Sequence, residues 1–256
     1  MSTSHEHPRI YLDHAAATPL APVAYAAMQP YLTHHFGNPS AIHAEGRAAA
    51  AAIATARQAI AAGLEVKRDR VLFTGSGTEA NNLAVLGVIE RRLAAGTAPE
   101  ELEVLTTSIE HPSLTATGAA LARRGVVVRE LPVDENGVLQ PETLRGALTQ
   151  RTALVAFGYV NSEVGTIQPV RALARTIRAF TRERNARVPI HLDAAQAPWW
   201  VSCSLNRLDV DMLALDAGKC GGPKGVGVLA VRERELLTPI SFGGRSEERR
   251  VGKECA

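Results

Sequence analysis

The chain has 256 residues, 46% hydrophobic, 21% charged and 4% aromatic, with a formal net charge of +2. That length suits one large domain or one and a half. Near-neutral charge and scarce aromatics exclude a polyanion-binding face or a base-stacking platform as the organising feature, so no nucleic-acid partner is expected.

The N-terminus, MSTSHEHPRI, lacks the apolar stretch of a signal peptide. The longest apolar run, Ala48 to Ala54, is flanked by Arg47 and Arg57 and is too short to span a bilayer. A cytoplasmic protein with no membrane partner is expected. Ala41–Ala62 predicts a long Ala-rich helix, followed by a strand at Arg70–Thr74. Asn81–Leu93 places Leu83, Leu86, Ile89 and Leu93 at helical spacing. Strands follow at Glu103–Thr107 and Val126–Leu131, then a helix at Pro141–Leu148 and a strand at Ala153–Tyr159. A helix at Val170–Arg184 precedes strands at Val188–Asp193, Asp211–Leu215 and Gly227–Val231. This alternation predicts an α/β fold, a mostly parallel sheet sandwiched by helices. In such folds ligands sit at the carboxyl ends of the strands.

Four segments at strand ends carry polar residues suited to chemistry. In FTGSGTEANNLAVLG, Phe73 to Gly87, a strand runs through a glycine turn into a helix. Gly77 lets a ligand approach the backbone, and Thr78 adds a hydroxyl to the helix-start N–H groups, which suits a phosphate. A plain turn with Ser76 or Thr78 as helix cap is the alternative. In TTSIEHPS, Thr106 to Ser113, His111 suits ring stacking or acid–base work, although a lone loop histidine is often uninvolved. In VPIHLDAAQ, Val188 to Gln196, Asp193 could hold a pyridinium nitrogen protonated, with Gln196 near the ring substituents. Taken alone, Asp193 reads first as a cap for a following helix. In DMLALDAGKCGGPKGVGVL, Asp211 to Leu229, Lys219 suits a Schiff base with an aldehyde cofactor and later proton transfer. A surface lysine is the alternative reading, and Lys224 competes from a Gly-Pro-Lys-Gly turn. Together these parts match one pyridoxal 5'-phosphate site. The three cysteines, Cys203, Cys220 and Cys255, show no metal-ligand spacing and no disulfide framework, so no metal site is expected.

The chain resembles class V aminotransferase-fold enzymes, and among them the NifS/IscS-like cysteine desulfurases. The resemblance starts at YLDHAAATPL, passes through GNPSAIHAEGR and the four segments above, and reaches about Gly244. It implies the large domain of a pyridoxal-phosphate-dependent type I transferase. It also implies that Lys219 forms the Schiff base and moves the substrate proton, that Asp193 pairs with the pyridine nitrogen and that His111 stacks on the ring. Gln196 would bond the ring hydroxyl, and Gly77 with Thr78 would hold the phosphate. The implied reaction converts L-cysteine to L-alanine and passes sulfur on as a persulfide, for iron–sulfur cluster assembly or tRNA thiolation. The implied partners are L-cysteine, a sulfur-acceptor or iron–sulfur scaffold protein, and a second copy in a homodimer.

Three departures stand out. The family's Ser-Gly-His before the lysine is replaced by Asp216, Ala217 and Gly218, which puts a carboxylate near the phosphate. The family's Asn-Asn-Glu is replaced by Asn161, Ser162 and Glu163, so Ser162 is the shorter substitute for a cofactor contact. After Ser241 to Gly244 the sequence RSEERRVGKECA is charged and aperiodic, and it resembles a translated short-read sequencing adapter. The expected organisation is therefore an N-terminal segment 1–20 that packs on a small domain, a cofactor-binding large domain 21–244, and a foreign tail 245–256. The small domain, with its persulfide cysteine and carboxylate-binding arginine, is expected to be missing. The chain as written is expected to be inactive and to expose apolar surface. The alternatives are another enzyme on this fold, such as a selenocysteine lyase or an aminotransferase, and a degenerate paralogue that binds or scaffolds.

Overall fold

The computed structural model describes residues 10–242; the expected tail and Cys255 lie outside the described residues. Each strand segment read from the sequence forms a strand. These are β1 (Val71–Thr74), β2 (Glu103–Thr107), β3 (Val127–Leu131), β4 (Thr152–Gly158), β5 (Ile190–Asp193), β6 (Met212–Asp216) and β7 (Gly227–Val231). They make one sheet in the order β1-β7-β6-β5-β4-β2-β3. The pairs from β3 across to β6 are parallel, whereas β7 is antiparallel to both β6 and β1. The short link explains the exception. Residues 217–226 hold a 3-10 turn (Ala217–Lys219) but no crossover helix, and parallel neighbours need about a dozen linking residues or more.

The helices are α1 (Pro22–Thr33), α2 (Ala44–Leu64), α3 (Gly77–Ala94), α4 (Pro112–Ala122), α5 (Pro141–Ala147), α6 (Val170–Arg184) and α7 (Leu205–Leu208). On one sheet face, Leu83 and Val88 of α3 and Leu114 and Leu121 of α4 pack on Leu72, Val104, Leu154 and Met212. On the other, Leu144 of α5 and Leu173 and Ile177 of α6 pack on Leu105, Val155, Phe157 and Leu192. Leu154, Val155, Ala156 and Phe157 thus alternate between the two cores, as the two-residue period of a strand requires. A strand buried on both faces reads as a continuous apolar run, and each large side chain buried in this way contributes about 1.5–3 kcal/mol.

α6 shows why its pattern was readable. Val170, Leu173, Ala174 and Ile177 form its buried stripe, while Arg171, Arg175 and Arg182 face water. Asn185, at φ 47°, ends it. α2 starts three residues later than the Ala-rich run predicts, because His43 caps it, and runs on to Leu64 before Glu65 turns left-handed at φ 55°. α1, α4 and the short α7 were not expected. Pro30 lies inside α1, and prolines read as helix breaks. The weak apolar pattern of α4 hid its start, a His111 cap followed by Pro112.

Candidate active site

A cavity of about 150 Å³ opens at the carboxyl edge of the sheet, lined by residues that follow β1, β2, β4, β5 and β6. Gly77, Thr78, His111, Ser162, Asp193, Gln196 and Lys219 all line it, although they are scattered over more than half of the chain. Parallel strands bring these distant residues together, because their carboxyl ends share one edge of the sheet.

The turn after β1 is built by reciprocal capping. Ser76 Oγ accepts the Glu79 N–H at 3.1 Å, and Glu79 Oε2 accepts the Gly75 N–H at 2.6 Å. Ser76 is therefore the cap of α3, and Thr78 takes no part in capping. The Gly77 N–H is already engaged. It donates to Asp216 Oδ2 at 2.9 Å, while Asp216 Oδ1 accepts the Gly218 N–H at 2.9 Å.

Asp193 ends β5 and is 8% exposed. No helix follows it directly; its Oδ1 instead accepts the Ala195 N–H at 3.0 Å in a turn. Its Oδ2 accepts from Asn81 Nδ2 at 2.7 Å. Asn81 also donates to Ser113 Oγ at 2.8 Å, and its Oδ1 lies 2.8 Å from His191 Nε2. His191 is fully buried, and that burial lowers its pKa to about 3, so the ring is neutral. With Asn81 Oδ1 as acceptor, the His191 proton sits on Nε2. His111 Nδ1 accepts the Ser113 N–H at 3.1 Å, which leaves Nε2 to carry the ring proton in the neutral form. One network thus joins His191, Asn81, Asp193, Ser113 and His111.

Around this network, loops are tied to one another. Asn161 Oδ1 accepts the N–H groups of Glu163 and Val164 at 2.9 and 3.0 Å, and its Nδ2 donates to Ile109 O at 3.1 Å. This fixes the loop after β4, which carries the exposed Ser162, to the loop after β2. Glu110 also lines the cavity and accepts from the Thr107 hydroxyl. Burial pushes its carboxyl up to about 7; the Thr107 hydrogen bond opposes that rise and the charge of Asp193 adds to it. Gln196 Nε2 donates to Ala15 O at 2.6 Å, which ties the N-terminal segment to the site.

Lys219 closes the 3-10 turn after β6 and is half-buried. It lines both the cavity and an adjoining groove of about 810 Å³ that Thr18, Trp199, Trp200 and Gly221 help to wall. Lys224 does not line the cavity; its Nζ donates to Thr18 O at 2.7 Å. Neither described cysteine suits a thiolate. Burial, then proximity to Cys220, raises Cys203 to about 11, and burial followed by the Asp216 charge raises Cys220. Among the described residues no cluster of three His, Cys, Asp or Glu could hold a metal ion.

Sequence reasoning missed Asn81, Glu110, Ser113 and His191 as parts of the site. Two signals were available. Asn81 stands three residues after Thr78 on the same helix face, and His191 is a polar residue inside an apolar strand.

A family model described as aminotransferase class-V matches residues 10–254. Cysteine desulfurase IscS of Dictyoglomus turgidum is 36% identical over 246 residues, covering 96% of this chain and 60% of that protein. A cysteine desulfurase of Cereibacter sphaeroides is 41% identical over 249 residues, covering 96% of this chain and 61% of that protein. The solved structure of SspA in complex with cysteine superposes with a TM-score of 0.86 at 34% identity, covering 96% of this chain and 68% of that one. The chain spans about 60% of the length of the two curated relatives.

Proposed function

Because the chain belongs to the class-V aminotransferase family, we propose that it binds pyridoxal 5'-phosphate and forms the cofactor-binding part of a cysteine desulfurase. The reaction converts L-cysteine to L-alanine and passes the sulfur to an acceptor as a persulfide. The observation that carries this reading is the single cavity that gathers Lys219, Asp193, His111 and Thr78 at the strand ends.

The ring end fits the cofactor. Asp193 is a buried carboxylate with no salt bridge among the described residues, and a buried charge calls for a partner. A protonated pyridine nitrogen supplies one. Asn81 and the Ala195 N–H hold the carboxylate in place to receive it. At the other end, the Thr78 hydroxyl is free of capping, and the Gly77 N–H becomes available once Asp216 turns away.

When bound, the cofactor supplies an electron sink for charge at the substrate Cα. Lys219 Nζ would hold the cofactor aldehyde and then carry the Cα proton. His111, oriented by Ser113, would stack on the ring. Gln196 and Ser162 would complete the contacts at the mouth of the cavity. The sulfur acceptor would come from beyond the described cysteines, because burial raises both thiols and so disfavours the thiolate. Iron–sulfur assembly or tRNA thiolation would use the sulfur. The hydrogen bond between Asp216 and Gly77 favours one second reading, a cofactor-poor paralogue that acts as a binding protein.

The test is a titration with pyridoxal phosphate. The protein should develop a visible absorbance band that Lys219→Ala abolishes. A well-folded sample with no band would sink the assignment. In a chain that also carries the expected small domain, alanine formed from L-cysteine with no amino transfer to a keto acid would separate a desulfurase from an aminotransferase.

A further inference from the structure

We propose that Asp216 is a resident anion in the phosphate seat at the start of α3, and that it makes this chain a weak holder of phosphate-bearing ligands. This inference rests on the cofactor reading above for the identity of the seat, but not for the existence of the contact.

α3 has 18 residues, long enough to present a partial positive charge at its first turn. Two donors of that turn are already satisfied by the protein, Glu79 N–H by Ser76 Oγ and Gly77 N–H by Asp216 Oδ2. The second carboxylate oxygen holds the Gly218 N–H, so Asp216 bridges the two glycine turns that follow β1 and β6. The fit is close. A Cβ on Gly77 would lie 3.1 Å from Asp216 Cβ and 3.2 Å from its Oδ2, so the carboxylate stands directly beside Gly77. No described residue forms a salt bridge with Asp216 to offset its charge. Gly218, next in the chain but one, brings no side chain that could do so.

A phosphate oxygen and Asp216 Oδ2 compete for the same N–H, and their like charges repel. Phosphate enters only when Asp216 leaves, and the departing carboxylate gives up both of its backbone hydrogen bonds. Removing the carboxylate should therefore unmask an anion site that the unaltered chain conceals.

Two variants test this. Asp216→Asn keeps the shape and removes the charge; Asp216→Ala removes the occupant. Melting temperature is read in potassium phosphate against potassium chloride at matched ionic strength, and pyridoxal phosphate affinity by absorbance titration. The wild type should show no phosphate-specific stabilisation. Asp216→Ala should melt lower in chloride and recover in phosphate, and Asp216→Asn should bind pyridoxal phosphate about tenfold more tightly. If Asp216→Ala does not fold, Asp216→Asn alone decides through both readouts. Equal phosphate stabilisation of all three proteins, or no phosphate response in either variant, overturns the proposal. Equal pyridoxal phosphate affinity in all three overturns it while leaving the cofactor reading intact. A phosphate response confined to the variants, with no pyridoxal phosphate binding by any protein, upholds the proposal and removes the cofactor reading.

Discussion

Burial leaves Glu110 with a folded-state pKa of about 7 against an ordinary 4.5. A raised carboxyl favours its protonated form, so its stabilising contribution is full below pH 4.5 and is lost as pH rises through 7. His191 works in the opposite sense. Its pKa falls from 6.5 to about 3 because burial disfavours the charged ring, so stability is lost as pH drops from 6.5 toward 3. Between pH 4.5 and 6.5 the two slopes oppose each other, and the wild type should show a shallow profile there. Glu110→Gln keeps a neutral shape and removes one slope. Its melting temperature should gain on the wild type from pH 4.5 to 7 and level off above. Parallel curves across that range would mean that Glu110 does not titrate there.

At the scale of elements, the turn after β1 depends on how closely β7 passes it. A Cβ on Gly227 would run into the Ser76 carbonyl group and lie 2.6 Å from Thr74 Oγ1. Most of that obstruction is backbone, which cannot swing aside as a flexible side chain can. Gly227→Ala should therefore cost about 1–3 kcal/mol and displace the Ser76–Gly77 turn that offers the first N–H of α3. Gly63 is the contrast: it lies on the exposed side of α2, and an added Cβ would meet nothing within 4 Å. Gly63→Ala should stabilise by about 0.5–1 kcal/mol, because alanine restricts the unfolded chain and favours helix. Urea denaturation of both variants checks the pair. A Gly227→Ala protein as stable as the wild type would show that close packing at this glycine is not what shapes the turn.

For the molecule as a whole, the surface of α1 is the anomaly. It buries no residue, and Val23, Tyr25, Tyr31 and Leu32 are exposed on it, with Phe36 and Ile42 close behind. A 12-residue helix with Pro30 inside it gains little from propensity alone. Apolar patches on this scale mark contact surfaces. The homodimer implied by the family resemblance would cover this one. Sedimentation should show concentration-dependent self-association, weakened in a Val23→Ser, Leu32→Ser, Phe36→Ser triple variant. A wild type that stays monomeric at high concentration would remove this surface from consideration as a dimer contact.

Local pattern was enough to read the α/β alternation and the positions of the strands. Strands such as β4 are buried on both faces and so spell themselves as apolar runs, and α6 repeats its apolar stripe at helical spacing. Lys219, His111 and Thr78 follow strands and Asp193 ends one, and all four line one cavity. Which side chains partner one another was settled in three dimensions. Asn81 lies 112 positions from Asp193 and 110 from His191, yet it bonds both, and no local pattern encodes such a contact. The antiparallel course of β7 came from the short link after β6. The family resemblance put Asp216 near an expected phosphate contact; the fold set its two oxygens on Gly77 and Gly218. Hydrogen bonds act over a few ångströms in space, and the crossovers of a parallel sheet bring distant residues within that range.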